Sequence, residues 1–220
     1  MNDQERMTSA AGAVGGATLI SRVLGFVRDM IIAQIFGTKM AADAFFVAFR
    51  IPNLLRRLLG EGSLTAAVVP VFTEYLTSKD REEAWKLANI LLNTFLVILF
   101  VTVILGIVSS PVIVRFIAPG FHASAEKYDL TVELTAFMFP YLFFVGMAAL
   151  TMGMLNSLRV FFIPALGPVF LNISMILAAI FLAPRLEQPV FALAAGVIVG
   201  GVLQFFIQVP ALIKKGLKYK

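Results

Sequence analysis

The sequence predicts an all-α integral membrane protein with six transmembrane helices. Of its 220 residues, 60% are hydrophobic and 14% are charged, and its mean hydropathy is +0.91. Soluble domains of this length seldom have such a composition. Apolar segments long enough to cross a hydrocarbon core about 30 Å thick recur along the chain. They place the predicted helices at residues 10–36, 40–59, 87–108, 130–156, 161–183 and 190–213.

The first predicted helix carries charges inside its apolar span. At about 1.5 Å per residue it is roughly 40 Å long, so Arg22 and Arg28 lie near mid-depth. Residues seven apart share a stripe, which places Gly15, Arg22 and Asp29 on one face, with Gly25 beside them. Charges at this depth are costly and normally face a protein interior or a water-filled cavity. This face is therefore a candidate binding surface.

The second predicted helix repeats this arrangement. Pro52 lies inside it, and proline removes a backbone hydrogen bond and usually kinks a helix. A kink beside charged groups indicates a moving part or a binding site. The charged stripe and the polar residues close to it are Asp43, Arg50, Arg57, Asn53 and Arg56.

The other four predicted helices contain few charges. Residues 60–70 are semi-polar and lead to a charged loop at 77–86 that we expect to be soluble, and residues 115–129 form a polar connection. Pro140 predicts a kink in the fourth helix. Asn172 in the fifth helix and Gln204 in the sixth could each bridge neighbouring helices through hydrogen bonds.

The basic residues of the loops predict how the helices are oriented. If the amino terminus is cytoplasmic, nine basic loop residues lie inside and four outside, as the positive-inside rule favours. With six spans, both termini are then cytoplasmic. The inside set is Arg6, Lys79, Arg81, Lys86, Arg159, Lys214, Lys215, Lys218 and Lys220, and the outside set is Lys39, Arg115, Lys127 and Arg185.

Enzymes, metalloproteins and nucleic-acid-binding proteins are disfavoured by the sequence. It has no cysteine, and its single histidine, His122, lies in a polar connection where an ordinary surface residue is expected. There is no glycine-rich phosphate loop with its lysine and no nucleophile elbow. The net charge of +5 is split between helices and short loops instead of covering one face. We therefore expect no catalytic residue, no cofactor, no metal ion and no nucleic acid partner.

Arginines inside membrane helices favour binding or translocation of an anion. Residues 21–57 contain five arginines against two aspartates, and guanidinium groups match phosphate and carboxylate oxygens in bidentate fashion. A structural role stays open for each charge. Arg28 with a neighbouring acid, or Asp43 with an arginine of the first helix, could simply hold helices together.

Several long segments match a known family in the same order. They read SRVLGFVRDMIIAQIFG at 21–37, ADAFFVAFRIPNLLRRLLGEG at 42–62, APGF at 118–121 and FLNISMI at 170–176. In these segments and over its whole length the chain resembles the MurJ/MviN family of bacterial lipid II flippases, part of the multidrug/oligosaccharidyl-lipid/polysaccharide exporter superfamily. Members usually have two helical lobes and an added pair of helices. The resemblance implies that this chain is the amino-terminal lobe of a MATE-like transporter fold.

The resemblance also implies a site, partners and a location. A positively charged cavity between the lobes would hold the diphosphate and head group of lipid II while the polyprenyl tail stays in lipid. The expected partners are lipid II, membrane lipids and the missing carboxy-terminal lobe, in the bacterial inner membrane. The implied substrate-binding residues are Ser21, Arg22, Arg28, Asp29, Asp43, Asn53, Arg56, Glu61 and Asn172.

Two other functions stay open at this point. A related exporter of cations or drugs should have an acidic or aromatic cavity, whereas this one is rich in arginine. A membrane scaffold for cell-wall assembly would use the charges only to fix helix packing. Near the cytoplasmic end of the second helix, Arg56, Arg57 and Glu61 could also be snorkelling residues that set topology. The energy source of any transport is open as well.

Overall fold

The computed structural model describes residues 3–37, 40–61 and 63–219, with side chains for 12–37, 40–54 and 66–219. The regular structure of these residues is entirely helical, so the all-α prediction is confirmed. The α-helices are α1 Asp3–Phe36, α2 Met40–Glu61, α3 Ser63–Ser78, α4 Arg81–Val108, α5 Ser110–Ile117, α6 Ala125–Met138, α7 Pro140–Ser157, α8 Phe162–Ala165, α9 Gly167–Leu177, α10 Val190–Phe206 and α11 Val209–Lys214. Two 3₁₀ turns, Pro119–Ala123 and Ala183–Arg185, and a π-helical turn, Ala178–Leu182, complete the order.

Four stretches of the described chain are long and apolar enough to cross a membrane. They are Arg81–Val108, Ala125–Ser157, Phe162–Arg185 and Val190–Lys214, and they correspond to the last four predicted helices. The charged helices α1 and α2 have 34 and 22 residues, so both are long enough to form a span. Their assignment as the first two of six spans stays a prediction.

Prolines divide the predicted helices into shorter ones. Pro140 begins α7 directly after α6, so the predicted fourth helix is two helices joined at Phe139. Pro168 lies in the first turn of α9 and Pro210 in the first turn of α11, where a missing backbone N–H costs least. The predicted fifth and sixth helices are therefore interrupted as well.

Residues 77–86 were predicted to be a loop, and this prediction is wrong because most of them are helical. Only Lys79 and Asp80 separate α3 from α4, and Asp80 has the extended backbone of a residue that precedes a helix. Glu82 and Glu83 follow in the first turn, where the helix dipole favours negative charge. The high charge content of residues 77–86 predicted a loop, but most of these charged residues lie in the first turns of α4.

The polar connection at 115–129 is also more ordered than predicted. Residues 115–117 complete α5, a 3₁₀ turn follows, and α6 begins at Ala125. The hydroxyl of Ser124 accepts a hydrogen bond from the Lys127 backbone N–H at 3.4 Å, as expected of a residue that caps a helix.

The centre of the bundle is α7, which packs against α2, α3, α4 and α10. Its Leu142, Leu150 and Met154 are buried. A second close contact joins α9 to α10. A Cβ at Gly200 would lie 2.8 Å from the Cα of Leu171, so only glycine allows this approach. Helix α9 also packs against α1, and this contact positions the candidate site.

Candidate functional site

A polar network joins α1 to α9 within an otherwise apolar part of the bundle. Arg28 donates from Nη1 to Oδ1 of Asn172 at 2.9 Å. It also donates from Nε at 3.0 Å and from Nη2 at 2.8 Å to Oδ1 of Asp29. Asn172 in turn donates from Nδ2 to the backbone carbonyl of Ser21 at 2.9 Å. The structure thus brings four of the nine predicted site residues together.

Asn172 is the buried member of this network. It is 5% exposed. The amide oxygen accepts a hydrogen bond from Arg28, and the amide nitrogen donates one to the Ser21 carbonyl. Gly25 lies beside it, and a Cβ there would be 3.7 Å from Asn172 Nδ2. The glycine face of α1 therefore packs closely against Asn172 without a steric clash. Asn172 fixes the position of the Arg28 guanidinium, because a buried polar group holds its partners strongly.

Arg28 and Asp29 reach from this buried anchor to the surface. The Arg28 side chain is 22% exposed and that of Asp29 is 59% exposed. A guanidinium group has five N–H donors. Three donors are used by Asp29 and Asn172, and the other two have no partner among the side chains and backbone that the structure describes. Arg28 can therefore bind an anion without giving up its present contacts.

The remaining face of α1 is uncovered by the described part of the chain. Arg22 is exposed and has no hydrogen bond or ion pair with any described residue. Leu19 and Phe26, near it on the helix, are 65% and 64% exposed. A Cβ at Gly15 would meet no described atom within 4 Å. One face of α1 thus combines exposed charge, exposed apolar side chains and small residues.

Asp43 forms its ion pair with a residue of α6. Its Oδ2 accepts from Nζ of Lys127 at 2.7 Å, so its ionic partner comes from α6 and not from an arginine of α1. Lys127 Nζ also lies 4.1 Å from the centre of the Phe121 ring. Sequence reasoning treated Lys127 only as a loop cation and missed this pairing. The available signal was that Asp43 near the outer end of its predicted helix and Lys127 in a predicted outer loop carry opposite charges on the same side of the membrane.

The other predicted site residues lie outside the α1–α9 network or outside the described side chains. Asn53 is half-buried in α2. The backbone of Arg56 and Glu61 is part of α2, but their side chains lie outside the described residues, so their predicted roles stay predictions. Within the described ranges, no three His, Asp or Glu side chains come close enough to hold a metal ion.

Comparison with known proteins identifies the family of this chain. The family model described as "Lipid II flippase MurJ" matches residues 32–220. The chain belongs to the MurJ family. A MurJ relative from Burkholderia cenocepacia, named a lipid II flippase, is 43% identical over 201 residues, covering 91% of this chain and 39% of that protein. A second, from Vibrio cholerae, is 40% identical over 97% of this chain and 42% of its own length.

A solved MurJ structure has the same fold as this chain. It is titled as a lipid II flippase in an inward closed conformation and matches with a TM-score of 0.77 and 32% identity. The match covers 94% of this chain and 42% of the solved one. The chain therefore spans about two fifths of the length of the MurJ proteins it matches.

Proposed function

We propose that this chain is the amino-terminal lobe of a transporter that moves lipid II from the inner to the outer leaflet of the bacterial inner membrane. The observation that carries the proposal is Arg28, which Asn172 and Asp29 hold inside a membrane helix with two N–H donors to spare. Relatives that are named lipid II flippases support the choice of substrate. Transport of this kind is not an enzymatic reaction.

The diphosphate of lipid II fits the chemistry of this network. A planar guanidinium group can donate two parallel hydrogen bonds to phosphate oxygens, and such charge-assisted bonds are stronger than neutral ones. Arg22 supplies a second, exposed cation six residues earlier on the same helix. The hydroxyl of Ser21 and the carboxylate of Asp29 can bind the hydroxyl and amide groups of the sugars and peptide.

A cavity between two lobes explains the uncovered face of α1. Exposed charge beside exposed apolar side chains is costly in lipid, and it is expected where a partner lobe or a substrate lies opposite. In a MATE-like arrangement the carboxy-terminal lobe would supply that second wall, and rocking of one lobe against the other would expose the site alternately to each leaflet. Lipid II and the second lobe are thus the proposed partners.

A topology of six spans with cytoplasmic termini agrees with the contacts at the two ends of the bundle. Segments that this topology places on the same side of the membrane meet at the same end. One cavity of about 650 Å³ joins the α1–α2 turn, the start of α6 and the α9–α10 connection, all predicted outside. At the other end, Arg81 of α4 donates to the backbone carbonyl of Lys215 at 3.0 Å, and both residues are predicted inside. The nine-to-four distribution of basic loop residues favours the same orientation.

Cysteine labelling tests this topology. In a cysteine-free full-length protein, single cysteines at Glu126 and Glu187 should react with a membrane-impermeant maleimide added outside. A cysteine at Lys79 should react only after the membrane is opened. Glu126 is preferred to Lys127 because Lys127 is paired with Asp43. Labelling of Lys79 and Glu126 from the same side would remove a span from the proposed six.

Lipid II binding tests the proposed function itself. The full-length protein should bind lipid II in preference to a neutral lipid with the same polyprenyl tail. The preference should depend on Arg28, because the diphosphate is the group that this residue would hold.

A further inference from the structure

Two cavities at the predicted cytoplasmic end of the bundle differ in chemistry. The first, called the basic cavity, has a volume of about 560 Å³ between the start of α4 and the segment after α11. Four basic residues and one acidic residue line it, together with Trp85. The basic residues are Arg81, Lys86, Lys215 and Lys218. The cavity is therefore suited to an anionic group.

The second cavity, called the apolar groove, has a volume of about 530 Å³ between α4 and the α10–α11 region. Leu96, Phe206 and Ile213 line it and are 39%, 54% and 58% exposed. Its hydroxyl groups are already bonded within the protein: Thr151 donates to Gln208, and Tyr219 donates to Asn93 at 2.6 Å. The groove therefore offers contacts suited to a hydrocarbon chain.

The basic cavity and the apolar groove lie on the same stripe of α4. Trp85 and Asn89 line the former, and Leu92 and Leu96 line the latter, at helical spacings of four, three and four residues. Leu92 and Leu96 lie about 10 and 16 Å along the helix from Trp85. This is the depth over which an acyl chain crosses one half of a hydrocarbon core about 30 Å thick.

Residues 215–218 form one wall of the basic cavity and are held by hydrogen bonds from α4 to their backbone carbonyls. The side chains of Lys215 and Lys218 therefore stay available. Arg81 Nη2 donates to the Lys215 carbonyl at 3.0 Å, and Asn89 Nδ2 donates to the Lys218 carbonyl at 2.9 Å. Gly216 has a φ of +107°, and a Cβ there would lie 3.3 Å from Nε1 of Trp85. Among the described residues, Lys215 and Lys218 form no ion pair, whereas Lys86 lies 3.5 Å from Glu82.

We propose that the basic cavity and the apolar groove together bind one anionic phospholipid of the inner leaflet. Its phosphate lies in the basic cavity, and one acyl chain descends the apolar groove. A lipid without net negative charge would leave Lys215 and Lys218 without a net counter-charge, and a soluble anion would leave the groove empty. Tryptophan and lysine are also the side chains that favour the head-group region of a membrane. This inference does not depend on lipid II transport.

Trp85 is the only tryptophan of this chain and serves as the probe. The full-length protein, with any other tryptophan replaced, is placed in phosphatidylcholine nanodiscs that contain brominated phosphatidylglycerol or brominated phosphatidylcholine. We expect the brominated phosphatidylglycerol to quench Trp85 at a much lower mole fraction. Because a basic residue near anionic lipid contributes about fivefold in affinity, the K215Q/K218Q variant should bind roughly 25-fold more weakly.

Matched variants separate this site from general surface charge. Lys214→Gln removes a neighbouring exposed charge outside both cavities and should behave like the wild type. Leu96→Phe narrows the groove and should weaken quenching by phosphatidylglycerol, whereas Val97→Phe, on the lipid-exposed side of α4, should not. In the wild type, added salt should weaken the preference for phosphatidylglycerol.

Two results would overturn the proposal. Equal quenching by the two brominated lipids in the wild-type protein would show that no anionic lipid is selected. Displacement of phosphatidylglycerol by soluble glycerol phosphate would show a site for soluble anions that does not need the apolar groove. Both results come from the wild type, so they stand even if a variant fails to fold.

Discussion

Replacing Arg28 with lysine in the full-length protein is expected to stop lipid II transport almost as completely as replacing it with alanine. The proposed fork donates two hydrogen bonds to phosphate oxygens, each worth about 1.5–3 kcal/mol. Alanine loses both, so transport should fall by roughly 100-fold or more. Lysine keeps the charge but only a point contact, and should still lose about 10-fold to 100-fold.

The amount of folded protein should change little in either variant. The Arg28 and Asp29 side chains are 22% and 59% exposed, and in the proposed water-filled cavity their ion pair contributes at most about 1 kcal/mol. Arg115→Ala, an exposed arginine outside the α1–α9 network, is the control and should transport normally. Transport and membrane abundance are measured side by side. If transport simply follows abundance, or if lysine restores it, Arg28 is part of a structural ion pair and not of a substrate site.

Residues 1–220 alone are expected neither to transport lipid II nor to sustain growth of cells depleted of their own flippase. The proposed cavity needs two walls, and the described residues leave one face of α1 uncovered. The expected effect is complete loss of function, in contrast to the graded effects of single substitutions. The comparison is with the full-length protein expressed from the same promoter.

Membrane insertion of the shorter protein must be verified in the same experiment. If residues 1–220 are present in the membrane and growth still fails, the two-lobe account is supported. Rescue of growth would show that the lobe pairs with a second copy of itself or that the proposed function is wrong. Co-expression with the carboxy-terminal lobe as a separate chain should restore growth if the lobes assemble.

The sequence predicted the helical class well because that class follows from local rules. Apolar length identified the last four spans, and charge at mid-depth, together with the family resemblance, selected Arg28, Asp29 and Asn172. The resemblance could not give the contact between Arg28 and Asn172, which lie 144 residues apart and meet only because α9 packs on α1. The stripe of residues seven apart indicated which face of the first helix carries charge, but it did not indicate that Arg28 contacts Asn172.

Composition and spacing did not predict the helical structure of residues 77–86 or the ionic partner of Asp43. Residues 77–86 have the composition of a loop, yet most of them are helical because acidic residues suit the first turn of α4. Asp43 meets Lys127 because α2 packs on α6, a tertiary contact that no spacing in the sequence predicts. Composition and spacing thus describe single helices, whereas the partners of charged residues depend on how the helices pack.

Lipid II binding by the full-length protein tests the central claim most directly. Its affinity is measured in nanodiscs against that of a neutral lipid with the same polyprenyl tail, for the wild type and for Arg28→Ala. The account predicts that the wild type prefers lipid II at least about tenfold and that the variant loses most of this preference, since charge-assisted bonds to the diphosphate supply it. Equal affinity for the two lipids, or a preference that Arg28→Ala leaves unchanged, would contradict it.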